Sequence, residues 1–63
     1  MKHWIATDRD GSVHAFGCCN KPVRSQGYWF GMGILLNADD ISHLPRVPTW
    51  EDEAVLEDFD PWQ

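Results

Sequence analysis

Residues 2–17 read KHWIATDRDGSVHAFG, and the way the chain passes through their centre decides what kind of domain follows. "KHWIAT" (2–7) and "SVHAFG" (12–17) are short runs rich in β-branched and aromatic residues, and "DRDG" (8–11) between them is turn chemistry. Asp8 suits the first position of a type I turn and Gly11 the last, where φ is positive. A type I turn closed by a left-handed glycine gives a three-residue hairpin loop with a bulge. That register sets Trp4 opposite Phe16 and Thr7 opposite Val13. A two-residue Asp10-Gly11 loop would instead oppose Ile5 and Phe16. The first register is preferred, because an aromatic pair across the ladder stabilises it.

The same stretch spaces Asp8, Asp10 and Ser12 two apart, as the start of a calcium loop does. Such a loop needs glycine at its sixth position and a bidentate glutamate at its twelfth. Counted from Asp8, those positions are Val13 and Cys19. The stretch reads as a turn.

Beyond the hairpin, "GCCNKPVRSQG" (17–27) reads as a turn into a short edge segment, since Pro22 cannot donate to a central ladder. "YWF" (28–30) and "ILLN" (34–37) are strand-like, and the "GMG" between them suggests a bulge or a second tight hairpin. Asn37 offers a helix cap, with Asp40 three residues on and Pro45 as a stop, so one short helix is expected near 38–44. Further on, "AVLEDF" (54–59) reads as an edge strand, or Thr49 and Asp52 cap a short helix. Propensity does not separate these. The pattern predicts a mainly β, small α+β fold: an antiparallel, hairpin-based sheet of three to four strands with one short helix.

Sixty-three residues make one small domain over 1–63. A chain of this length buries only about 60% of its unfolded surface, so its stability leans on heavy core residues. Four Trp, three Phe and one Tyr supply them. Charge is uneven: residues 1–30 carry a balance of +2 and residues 31–63 one of −7. The acidic half argues against direct nucleic-acid binding, which needs Lys and Arg. No stretch reads as a signal peptide or a membrane span, so a cytoplasmic location is expected.

Cys18 and Cys19 are adjacent, too close along the chain for an easy bond to each other, and no third cysteine exists. This fits a reducing compartment. Zinc held by His14, Cys18 and Cys19 with His3 or His43 would suit the metal's ligand preference, but the spacing matches no paired-ligand motif. No nucleophile elbow, phosphate loop or metalloprotease helix is present. Ser42 and His43, as helix neighbours, point apart. No catalytic residue, cofactor or metal is expected.

The last segment, 51–63, is acidic and peripheral. Its carboxylates, Glu51, Asp52, Glu53, Glu57, Asp58 and Asp60, are too many for the available cations and are expected to form one exposed negative face. Val55, Leu56, Phe59 and Trp62 are expected to touch the hairpin. The alternative is a docking tail, with Phe59 and Trp62 as aromatic anchors and the acids meeting a basic rim. The candidate partner-binding residues are therefore Glu51, Asp52, Glu53, Glu57, Asp58, Phe59, Asp60 and Trp62.

"WIATDRDGS" (4–12), "NKPV" (20–23) and "PRVPTWEDE" (45–53) together resemble short proteins of unknown function encoded by bacterial genomes, prophages and mobile elements. Those carry an aromatic-Ile-Ala-Arg-Asp start, an Asp-Gly-Ser turn, an Asn-Lys-Pro step and a Pro-x-Val-Thr-Trp-Glu-Asp-Glu end. The chain departs at Thr7, where arginine is usual, and at "CCN" and Pro48. The resemblance implies a bacterial or phage cytoplasm and carries over no functional residue. The reading is a small acidic, non-enzymatic module that binds a protein partner with a basic surface. A nucleic-acid mimic that blocks a host DNA- or RNA-binding protein is the alternative, and a small zinc-binding domain a second one.

Overall fold

In the computed structural model, which describes residues 2–17 and 21–58, Lys2–Thr7 (β1) and Val13–Gly17 (β2) form an antiparallel hairpin. Its register sets Trp4 opposite Phe16 and Thr7 opposite Val13, as the turn chemistry predicts. The Gly11 N–H donates to the Asp8 carbonyl at 2.9 Å, and the Asp8 N–H donates to the Ser12 carbonyl at 2.8 Å. Gly11 sits at φ +96°, and no atom lies within 4 Å of the place a Cβ would occupy, so only backbone strain opposes a side chain there. Gly11→Val should cost more than about 1 kcal/mol in a urea melt, because a β-branched residue tolerates positive φ poorly. Asp10→Asn should be nearly neutral, since an amide oxygen replaces the carboxylate that accepts the Ser12 N–H at 2.9 Å. A melt raised by calcium would contradict the turn reading.

In chain order there follow Val23–Ser25 (β3), Tyr28–Phe30 (β4), Gly33–Leu35 (β5), the helix Ala38–Ser42 (α1) and Val55–Asp58 (β6). The main sheet is antiparallel in the order β5-β2-β1-β6, and β3 and β4 form a separate two-stranded ribbon. The expected single sheet is thus a four-stranded sheet plus a hairpin. "YWF" and "ILLN" do not pair with each other, which corrects the reading of "GMG" as a bulge or hairpin. The three residues instead carry the chain from one sheet to the other. Gly33 makes the passage possible: a Cβ there would stand 2.5 Å from the buried ring of Phe16, its partner across the ladder.

Strand alternation divides the sheet into two faces. Ile5, Val13, Ala15 and Leu36 share one face, where Leu44 and the half-buried Ile41 and Val55 pack on them. Helix α1 brings Ile41 there, and Leu44 follows just past its C-cap, its N–H donating to the Ile41 carbonyl at 3.1 Å. The helix cap is the expected one: the Asn37 side chain accepts the Asp40 N–H at 2.8 Å, and the helix ends before Pro45. Ala6 and Phe16 share the opposite face with Trp29 of the ribbon and Ala54, and Trp4 and Trp50 are half-buried against them. The sheet is therefore covered on one side by the helix and on the other by the ribbon.

Strand β6 decides between the two readings of 54–59. Thr49 and Asp52 do bond reciprocally, the Asp52 N–H to the Thr49 carbonyl at 3.1 Å and the Thr49 N–H to the Asp52 carboxylate at 2.9 Å. They close a single turn, after which the chain pairs with β1, Val55 opposite Ile5 and Leu56 opposite Trp4. The prediction of apolar residues inward and acids outward needs correction. Val55 turns to the helix side, so Glu57, two residues on, shares that side and is 16% exposed. Leu56 falls on the other face and stays 42% exposed. No helix among the described residues is long and apolar enough to cross a membrane.

Candidate functional site

The ribbon carries the features that ask for an explanation beyond folding. Its turn is tight because Gln26 and Gly27 both take positive φ, 53° and 87°, the pattern that matches strand twist in two-residue hairpins. Arg24 pairs across it with Trp29, and both face the main sheet. Trp29 is the anchor. Its indole N–H donates to the Thr7 carbonyl at 2.9 Å, and its backbone N–H donates to the Asp8 carboxylate at 2.9 Å. The two hairpin tips are joined as well, the Arg9 N–H donating to the Gly27 carbonyl at 3.0 Å.

Arg24 ties the acidic segment to this ribbon. Its guanidinium lies between the Trp29 and Trp50 rings, 4.8 and 5.0 Å from their centroids, and donates to the Asp52 carbonyl. The stack combines ring attraction with a hydrogen bond to the backbone. It places the exposed Glu51, Asp52 and Glu53 beside the ribbon.

The other side of the ribbon is apolar and faces solvent. Val23, Tyr28 and Phe30 are 66%, 53% and 54% exposed, and the Tyr28 and Phe30 rings meet edge to face at 6.4 Å. Met32 and Leu35, which follow on the way into and along β5, are also exposed. At the turn end, Tyr28 borders an open cleft of about 390 Å³ walled by Arg9, Asp10, Gln26 and Gly27. Sequence reasoning missed this surface. The signal was present: in a three-residue strand, Tyr28 and Phe30 must share one face and Trp29 the other.

The predicted partner-binding residues divide. Glu51, Asp52, Glu53 and Asp58 are exposed. Glu57 is turned inward, 4.0 Å from Arg46. Phe59, Asp60 and Trp62 lie outside the described residues. The Thr49 N–H holds the Asp52 carboxyl below its ordinary pKa, aided by the Thr49 hydroxyl and by Arg46 and Arg24. The Ser12 N–H does the same for Asp10, aided by the Ser12 hydroxyl and by His14. Both acids thus stay charged while bracing turns.

The histidines proposed as zinc ligands are not gathered into a metal site among the described residues. His14 pairs with Ala6 and Leu35, whereas His3 pairs with Gly17 and Glu57, so the two project from opposite faces of the sheet. The His43 ring lies 2.8 Å from the Asp39 carbonyl on the helix. Cys18 and Cys19 lie outside the described residues. Among the described residues, no three His, Cys, Asp or Glu side chains are placed to hold a metal ion. The buried Asp8, 3.6 Å from His14, is occupied by the ribbon's backbone.

None of the protein-family models, curated proteins and solved structures compared with this chain matches it.

Proposed function

We propose that the chain is a small, non-enzymatic protein-interaction module of a bacterial or phage cytoplasm, with the outer face of the β3–β4 ribbon as its contact surface. One observation carries this reading. A domain short of core-forming surface leaves Val23, Tyr28 and Phe30 in solvent on a ribbon whose inner face is held by Trp29 and Arg24. Aromatic residues on a rigid base are the usual energetic centre of protein interfaces. Glu51, Asp52 and Glu53 beside the ribbon fit a partner with an apolar patch and a basic rim.

The test compares capture from bacterial lysate by the immobilised wild type and by two double variants. Tyr28→Ser with Phe30→Ser should reduce capture by about thirtyfold or more and leave the circular dichroism unchanged, because both side chains face water. Glu51→Gln with Glu53→Gln, which spares the turn-bracing Asp52, should mainly slow association and lessen its salt dependence. Capture that ignores the aromatic substitutions but collapses with the acidic ones, and with moderate salt, would overturn the proposal in favour of a nucleic-acid mimic. The geometry favours a mimic less, since Glu57 breaks the outward row of carboxylates. Stoichiometric zinc in the purified chain would overturn both.

A further inference from the structure

A strand edge left unbonded is a template for another strand, and folded proteins protect such edges with charge, proline or a covering side chain. Among the described residues, three of the four strands with an open edge are protected. Strand β6 carries Glu57 and Asp58. Strand β3 has Arg24 at its centre and follows Pro22. On β4, the outward N–H of Trp29 is taken by the Asp8 carboxylate. Strand β5 has none of these devices. It lies at the edge of the four-stranded sheet, and residues 25–38 contain no charged side chain at all.

We propose that β5 is where two copies of this chain pair, antiparallel about a two-fold axis at Ile34, joining their sheets into one of eight strands. The backbone geometry supports this register. The Leu36 N–H donates to the Val13 carbonyl at 2.9 Å, so hydrogen-bonded and non-bonded pairs alternate from there along the β2–β5 ladder. Ile34 then bonds inward to Ala15, while the N–H and C=O groups of Gly33 and Leu35 point out of the sheet. Antiparallel pairing centred on Ile34 sets Gly33 of each copy opposite Leu35 of the other. Both residues have outward groups, and about four hydrogen bonds form between the copies.

Side chains and charge favour a second copy over a foreign strand. Leu35, 66% exposed, would lie across from Gly33, which has no side chain of its own, and would pack beside the Phe16 ring that covers that glycine, while Ile34 would meet its own image on the helix side. The chain's net charge of −5 opposes most self-contacts, and β6 against β6 would bring Glu57 and Asp58 together. Pairing at β5 sets one uncharged run against another. The edge has no charged group with which to select a foreign sequence, whereas a copy of itself matches it in register and polarity.

Sedimentation equilibrium over a concentration series tests this. The 7.3 kDa chain should approach twice its mass as concentration rises. A synthetic chain with an N-methyl group on the Leu35 amide, which keeps every side chain, should raise the dimer dissociation constant about tenfold, because symmetry removes two hydrogen bonds at once. Ile34→Lys should raise it further by setting like charges opposite each other. If Ile34→Lys also disturbs folding, the N-methyl chain decides alone. A wild type that stays monomeric up to about 1 mM overturns the proposal, including the case where a strand from another protein pairs there instead. So does a dimer indifferent to the N-methyl group. The test is independent of the ribbon surface: Tyr28→Ser with Phe30→Ser should leave the dimer intact, and the N-methyl chain should still capture a partner.

Discussion

Trp29→Ala should leave the chain largely unfolded in water at 25 °C. A folded domain of this length has a stability of roughly 3–9 kcal/mol, and truncating a buried aromatic residue to alanine costs about 3–5 kcal/mol. Trp29 is 8% exposed and does three jobs at once. It fills the face of the sheet beside Ala6 and Phe16, satisfies the Thr7 carbonyl through its indole, and forms one wall of the Arg24 stack. Alanine keeps only the backbone N–H that reaches Asp8. The guanidinium would then lose a ring from one side, while its Nε, already buried without a hydrogen-bond partner, stays costly. Trp29→Phe separates the contributions. It retains most of the packing and deletes the indole donor, so a loss of about 1–2 kcal/mol is expected. Circular dichroism melts measure both. If Trp29→Ala melts within a few degrees of wild type, the ribbon is not part of the cooperative fold and cannot present a rigid contact surface.

The features that sequence reading recovered are those whose cause is local. The hairpin register follows from Asp8 and Gly11, three residues apart, and the helix start follows from Asn37 and Asp40 at the same spacing. The two strands of the ribbon were read as a short edge segment and a strand-like run, but their pairing and docking were missed because the determinants are distant. The carboxylate of Asp8 holds a backbone N–H 21 residues further on, and nothing near "YWF" indicates that. Its turn was also hidden, since Gln26 at φ 53° is not one of the residues that normally announce such a turn. Tyr28, Trp29 and Phe30 are alike in hydropathy, so composition alone could not say which faces inward. Strand β6 was ambiguous for a related reason. "VLED" sets two apolar residues before two acids, so alternation gives each face one of each. Expecting all acids outward assumed a pattern that the strand period forbids. Glu51, Asp52, Glu53 and Asp58 are exposed, as their charge leads one to expect, but the position of 51–53 beside an aromatic surface depends on Arg24 reaching the Asp52 carbonyl.

Truncation after Thr49 should also abolish the fold, and comparison with truncation after Asp58 shows which residues are responsible. The shorter deletion measures what residues 59–63 contribute. The longer one additionally removes Trp50, Ala54 and all of β6. Ala54 is buried beside Phe16, Trp50 packs on the same cluster, and Val55 closes the helix side over Ile5. Burying each large apolar side chain is worth roughly 1.5–3 kcal/mol when complete, so losing the half-buried Trp50 and Val55 removes several kcal/mol from a domain with little more. The deletion also strips β1 of one of its two partners and uncovers Trp4, opposite Leu56 in the intact sheet. Acrylamide quenching should therefore rise sharply in the Thr49 truncation, with Trp4 and Trp29 both more accessible, and cooperative melting should disappear. If the Thr49 truncation instead melts cooperatively with unchanged quenching but loses partner capture, the segment is a docking peptide, and the packing of Trp50, Ala54 and Val55 contributes little. If the Asp58 truncation already loses capture, the contact surface lies in residues 59–63 and not on the ribbon.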